Sequence, residues 1–323
     1  MKYINEKILL ELGIPWPDLL TVIEEATCLL KENKIAQPVK PYLRFNDPAN
    51  RIIAMPAYIG GKFNTAGIKW IASFPGNISK GIKRAHSILI LNDAATGRPS
   101  AVFNTALLSG IRTAGVSGFV LKKYLDINDI DHLDCGIIGF GPIGQLHLKM
   151  LSGCFSDKIR NVYIYDTNGI KDTLADLPDY YRKMITVCRN WEDVYENANL
   201  FMTCTVSKER YVNRPPKKGA IYLNVSLRDF HTDFLKEIDI NVVDNWDEIC
   251  RESTDIEHAH LKFGLARNDV LEITDIFDKG HFESLPEKSF MFNPMGMAIY
   301  DVAVAKYYQD LAIKRNEFVE LED

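Results

Sequence analysis

The sequence predicts an α/β protein in which a Rossmann-type, doubly wound parallel sheet is joined to a second α+β domain. Three observations lead there. From about residue 134, short apolar runs (CGIIGF, VYIYD, MITVC, LFMTC, AIYLNV and INVVD) alternate with helical segments such as GQLHLKMLSGCF and NWEDVYENA. Near-continuous apolar strands alternating with helices indicate a parallel sheet covered on both faces. The first of these runs opens into a glycine motif. Before residue 134 the texture is different, with short β-like runs punctuated by turn formers.

Taken in order, residues 17–33 space their apolar side chains three to four apart and read as an amphipathic helix. Tyr42–Phe45, Arg51–Ala57, Ala66–Ser73 and Ser87–Asn92 read as strands, and residues 105–125 as a long helix rich in small residues. A final helix, Gly296–Arg315, follows the last strand signals and is expected to return to the first domain. The expected division is therefore 1–126 with 294–323 for the first domain, and 127–293 for the parallel-sheet domain.

Composition excludes several classes. A chain of 323 residues with 46% hydrophobic and 25% charged residues can bury two cores. Its net charge of −5 offers no field for a phosphate backbone, so no nucleic-acid partner is expected. The six cysteines lack metal-ligand spacing, and no metal is expected. Cys135, Cys188 and Cys204 lie in apolar runs and read as buried thiols. Charges interrupt the apolar stretch of MKYINEKILLEL, and no apolar run reaches membrane-spanning length. A soluble, cytoplasmic protein without a membrane partner is the expectation.

Gly139-Phe140-Gly141-Pro142-Ile143-Gly144 fits G-x-G-x-x-G between a strand and a helix. In that setting Gly139 permits the tight turn, Gly141 lets the backbone approach a pyrophosphate, and Gly144 lets helix and strand pack closely. Pro142 and Ile143 start the helix, whose N-terminus carries positive potential. Asp166 ends the next strand, about twenty residues on, where a carboxylate meets ribose hydroxyls. It would repel a 2′-phosphate, and Thr167-Asn168 follow rather than an Arg. NAD is therefore expected over NADP.

The first half carries unusual cations: Arg44 and Arg51 in or beside strands, Lys69 within GIKWIAS, and Arg112 among small helical residues. A buried cation is costly unless it is paired or binds an anion. Convergent cations would hold a substrate carboxylate. Oxidising an amino-bearing carbon also needs a base, and the loop after AIYLNV offers Asp229 and His231 equally, with a plain loop residue as the third reading.

With SGIRTAGVSGFVLKKYL, the glycine loop, LNVSLRD and NPMGMAIYDVAVAKYY in view, the chain resembles the ornithine cyclodeaminase/μ-crystallin family over nearly its whole length. RIIAMPAYIGG, GIKWIASFPGNISKGIKRA, ILND and NPMGMAI are most similar to its dehydrogenase subgroup. That subgroup makes 2,3-diaminopropionate for siderophores and peptide antibiotics. The resemblance implies a homodimer acting on a small amino-acid substrate. It places Arg44, Lys69 and Arg112 on the substrate carboxylate, gives Lys69 a part in the chemistry, and moves the choice of base to Asp229. Thr113, Thr203, Thr205, Ser226, Met295 and Gly296 complete the set expected at the cofactor.

Ornithine cyclodeaminases carry a Glu two residues before a Met-Pro pair; here that position is Ile53. A δ-ammonium would lose its partner there, so ornithine is disfavoured. Arg51, on the same strand face, is instead expected to receive a second carboxylate. The implied substrate is N-(1-amino-1-carboxy-2-ethyl)glutamate, oxidised at the glutamate α-carbon and hydrolysed to 2,3-diaminopropionate and 2-oxoglutarate. The alternatives within the family are another amino-acid dehydrogenase, an imine reductase or a cyclodeaminase. The alternative outside catalysis is a μ-crystallin-like dinucleotide-binding protein.

Overall fold

The computed structural model describes residues 1–128, 130–170, 174, 177–278, 280 and 287–322. The chain begins with β1 (Lys2–Asn5), α1 (Glu6–Leu12), α2 (Trp16–Lys31), β2 (Ile35–Ala36) and β3 (Tyr42–Leu43). Then come β4 (Arg51–Ile59), β5 (Thr65–Ser73), β6 (Ala85–Asp93), β7 (Pro99–Asn104) and α3 (Leu107–Ile127). The second half runs β8 (Leu133–Ile138), α4 (Pro142–Cys154), β9 (Ile159–Tyr165), α5 (Asp179–Arg182), β10 (Ile185–Val187), α6 (Trp191–Asn197) and β11 (Leu200–Thr203). It continues with β12 (Ile221–Asn224), α7 (Thr232–Glu237), β13 (Ile240–Val243), α8 (Trp246–Ile249) and α9 (Asp255–Phe263). Last are β14 (Leu271–Glu272), β15 (Phe290–Asn293), α10 (Ala298–Arg315) and β16 (Val319–Glu320).

The chain forms two compact units, 1–113 with 296–323, and 114–295. The first unit is a mixed sheet in the order β16-β1-β7-β6-β5-β4-β2, with β3 also paired to β4. Its β4–β7 stretch is an antiparallel meander, so side chains alternate between two faces, apart from a register shift at Leu91/Asn92. Met55, Lys69, Leu89 and Phe103 form one row across the inner face, and α10 packs on β4, β5 and β6 as well as on α2. Ala54, Trp70 and Ile88 form a row on the opposite face.

The second unit holds the parallel sheet, ordered β10-β9-β8-β11-β12-β15-β13-β14. Strand order reverses between β8 and β11, and the crevice outside strand carboxyl ends at such a point is where open α/β sheets bind ligands. Residues 135–138 of β8 and all of β11, β12 and β15 are buried, which explains their unbroken apolar sequences. Tyr195, Phe201, Tyr222, Phe230 and Phe234 pack edge-to-face beneath the sheet.

Several elements differ from the sequence reading. The strand read at Tyr42–Phe45 stops at Leu43, because the chain turns through Asn46 at φ 57°. β15, FMFN, lies inside the parallel sheet between β12 and β13 although no strand was read there. The unit division falls inside α3, between Thr113 and Ala114, rather than at its end. The later turns of α3 explain this: Phe119 packs on Phe277 and Tyr124 on Phe290, all within the second unit. Cys135 is buried in β8, whereas Cys188 and Cys204 are half-buried just past β10 and β11.

Candidate active site

In the first unit the alternation of β5 sends Lys69 inward, where it is 3% exposed. Its Nζ donates to Asp301 Oδ2 at 2.7 Å and to Ser109 Oγ at 3.2 Å. Arg112, 6% exposed, donates from Nε to Asp301 Oδ1 at 3.0 Å. One fully buried carboxylate on α10 thus holds two cations contributed by β5 and α3. Lys40, also buried, donates to the Gly296 carbonyl at 2.8 Å. Burial, together with the charges of Arg112 and Lys40, pushes Lys69 down to about 7 against the opposing pull of Asp301. Asp301 is held below the usual carboxylate range by Arg112 and Lys69 despite burial.

Gly296 sits at φ 91°, and a Cβ there would lie 2.8 Å from Arg112 Nη1. The left-handed backbone favours glycine there, and a Cβ would displace the Arg112 guanidinium. The sequence places Gly296 at the cofactor; in the structure it lies against Arg112 and Lys40. Thr113 spends its hydroxyl on the Ser109 carbonyl at 2.8 Å. Arg44 is exposed, donates to the Pro48 carbonyl, and lies 5.6 Å from the Tyr42 ring. Arg51 lies 5.7 Å from the same ring. Because Arg51 and Ile53 share a face with Met55, whose partner is Lys69, both belong to the Lys69 side of the sheet. Lys40 and Asp301 were missed. A charged residue inside NPMGMAIYDVAVA, an otherwise apolar helix, was the available signal for Asp301.

In the second unit Gly139 takes φ 85°, and a Cβ there would strike the Cys204 carbonyl at 2.7 Å. The loops leaving β8 and β11 therefore touch at the switch point. A Cβ on Gly144 would come within 2.2 Å of the Gly139 carbonyl oxygen. Gly141 is different: a Cβ would meet nothing within 4 Å. The open space lies at the N-terminus of α4, which has Pro142 in its first turn and no side-chain cap. Ile143 accepts at its carbonyl from His147. Asp166 accepts from Phe140 N at 2.7 Å and from Asn168 N at 2.8 Å, fastening the glycine loop while each oxygen keeps a further lone pair. An uncapped helix start, a cradle free of side chains and an adjacent carboxylate fit a dinucleotide.

Asp229 follows β12 and is fully buried. Thr205 Oγ1 donates to it at 2.7 and 2.8 Å, Ser226 Oγ at 2.5 Å and Tyr211 OH at 3.3 Å. Burial raises its pKa, and those three hydroxyls oppose the rise. Thr203, buried at the end of β11, lies 2.9 Å from Ser226 Oγ. His231 is exposed ahead of α7, and its backbone N–H donates to the Val212 carbonyl. Met295 is half-buried against the core of this unit. A buried carboxylate of raised pKa ringed by hydroxyls at the strand ends is suited to taking up and releasing protons.

A sequence model of the ornithine cyclodeaminase/mu-crystallin family matches residues 7–316. The N-((2S)-2-amino-2-carboxyethyl)-L-glutamate dehydrogenase of Staphylococcus aureus is 33% identical, across 91% of this chain and 90% of its own. Among solved structures, an archaeal alanine dehydrogenase dimer with bound NAD superimposes with a TM-score of 0.83 at 25% identity, over 100% of this chain and 99% of the other. Thermococcus litoralis Δ(1)-pyrroline-2-carboxylate reductase, in complex with NADH and L-proline, gives 0.87 at 21% identity, over 99% and 100%.

Proposed function

Because the chain belongs to the ornithine cyclodeaminase/mu-crystallin family, we propose that it is an NAD-dependent dehydrogenase acting on a C–N bond of an amino acid. Its substrate in this reading is N-((2S)-2-amino-2-carboxyethyl)-L-glutamate. Oxidation at the glutamyl α-carbon followed by imine hydrolysis would release 2,3-diaminopropionate and 2-oxoglutarate, consuming one water. The observation that carries the reading is the buried Lys69–Asp301–Arg112 cluster, with Arg51 and Ile53 on the same sheet face. The likeness to the staphylococcal dehydrogenase supports it.

Lys69 and Arg112 clamp the glutamyl α-carboxylate, and Asp301 fixes the two cations relative to one another. Only Nε of Arg112 is bonded to Asp301, leaving a guanidinium edge for bidentate contact with a carboxylate. Arg44 and Arg51 take the remaining carboxylates. Ile53 offers nothing to a side-chain ammonium, which disfavours ornithine. NAD, held by the glycine loop and Asp166, supplies the hydride acceptor when bound. Asp229 takes the proton from the substrate nitrogen and releases it to solvent, then takes a proton from the attacking water and passes it to the departing amine.

In this reading the first unit binds substrate and the second binds NAD. The first also forms a homodimer through its outer sheet face, where Trp70 is 43% and Ile88 42% exposed beside Ala54, Ile68, Ile90 and Val102.

Incubation with NAD and N-((2S)-2-amino-2-carboxyethyl)-L-glutamate, with alanine and ornithine in parallel, tests the substrate. NADH formation with the first compound, together with 2-oxoglutarate and 2,3-diaminopropionate in equal amounts, is the expected result. Turnover of alanine or ornithine in its place would overturn the assignment.

A further inference from the structure

The carboxylate of Asp229 has no exposed surface. Among the described residues its side-chain partners are three hydroxyls, those of Thr205, Ser226 and Tyr211. A sealed carboxylate exchanges a proton only with a group in hydrogen-bond contact, so substrate or water reaches Asp229 through one of the three. They are not equivalent. Thr205 is committed twice: its hydroxyl spans both carboxylate oxygens, and its oxygen accepts from Ser207 N at 3.2 Å. Tyr211 stands furthest, at 3.3 Å. Ser226 is nearest at 2.5 Å, within the range of a hydroxyl bonded to an ionised carboxylate. It is half-buried at the carboxyl end of β12. Behind it, Thr203 Oγ1 at 2.9 Å limits how the hydroxyl turns, and Thr203 is in turn bonded to Asn224 Oδ1 at 3.2 Å.

We propose that Ser226 is the catalytic residue that meets the reacting atoms, and that Asp229 is the positioning and proton-storing residue behind it. This rests on the reading of Asp229 as the acid–base group, and it moves Ser226 from the cofactor contacts to the chemistry. In the step, an N–H bond of the substrate amine, or later an O–H bond of water, breaks as its proton passes to Ser226 Oγ. The hydroxyl proton of Ser226 passes at the same time to Asp229 Oδ2, turning carboxylate into carboxylic acid. No electrons are exchanged, and the reverse transfer returns the proton.

Four forms of the full-length protein test this: wild type, Ser226→Ala, Ser226→Thr and Asp229→Asn, each assayed for kcat, KM and NAD affinity by fluorescence titration. Ser226→Ala is expected to lose about 100- to 10,000-fold in kcat, the range of a missing acid–base group, with NAD affinity unchanged. Ser226→Thr, which restores a hydroxyl, should recover much of that loss. If Ser226→Ala fails to fold, Ser226→Cys, with its much weaker donor, carries the same comparison. A Ser226→Ala enzyme with wild-type kcat and weakened NAD binding, beside an inactive Asp229→Asn, overturns the relay and leaves Asp229 acting directly. An Asp229→Asn enzyme with wild-type kcat overturns the underlying reading of Asp229 as well.

Discussion

Lys69 shows how a single side chain is given its chemistry by its surroundings. The sequence made its burial legible, because Ile68, Trp70 and Ile71 surround it with apolar side chains in a β-run. The partner was not legible, since Asp301 lies more than two hundred residues along the chain, and only the fold brings α10 against β5. The consequence is measurable. A carboxylate binds the protonated amine, and burial lowers Lys69 from 10.5 to about 7. KM for an anionic substrate should therefore rise as pH increases through that value, and a Lys69→Arg enzyme that retains activity should show a flatter profile, since guanidinium does not titrate there. A wild-type KM independent of pH across neutrality would contradict the assignment.

The glycines divide at the same scale. Gly144→Ala puts a Cβ against a backbone carbonyl and should cost about 1–3 kcal/mol in denaturant unfolding. Gly141→Ala meets open space, so stability should hold while NAD affinity falls about tenfold or more. Equal stabilities for the two variants, or unchanged NAD binding by Gly141→Ala, would count against the cradle.

Among the elements, the parallel strands were legible because burial on both faces leaves continuous apolar runs, as in LFMT and IYLN. β15 was not, because FMFN runs directly into NPMGM and its neighbours in the sheet, β12 and β13, are distant in sequence. The packing of α3 on α4 was equally hidden. There His147 is fully buried, and its Nδ1–H donates to Ile143 O at 2.8 Å, since a carbonyl can only accept. Burial pushes the imidazole down from 6.5 to about 4, so at neutral pH it is uncharged and Nε2 accepts from Ser117 Oγ at 3.0 Å. Stability from this depressed group is complete above pH 6.5 and is lost as pH falls toward 4, by about 3 kcal/mol across the window. Urea unfolding should show that loss, reduced in His147→Gln. Identical pH dependence in both proteins would remove His147 as its cause.

At the scale of the whole molecule, the two-part organisation was visible as a change of texture near residue 134, but its boundary was not. Helicity runs unbroken across the division inside α3, and periodicity reports helices rather than which core a turn joins. The outer sheet face likewise follows from the register, which places Trp70 beside Ile88. If that face joins two copies, light scattering should show a dimer for wild type and a monomer for Trp70→Glu combined with Ile88→Lys. A monomeric wild type, or a variant that still pairs, would contradict the interface.

In the proposed reaction a hydride leaves the glutamyl α-carbon of a substrate whose α-carboxylate is gripped by Lys69 and Arg112. N-((2S)-2-amino-2-carboxyethyl)-L-glutamate carrying deuterium at that carbon, with the NADH formed analysed by mass spectrometry, reports the origin of the hydride. One deuterium per NADH is expected, with a slower turnover than for the unlabelled compound. NADH free of deuterium, formed at an unchanged rate, would show that the hydride comes from another carbon and would contradict the proposed reaction.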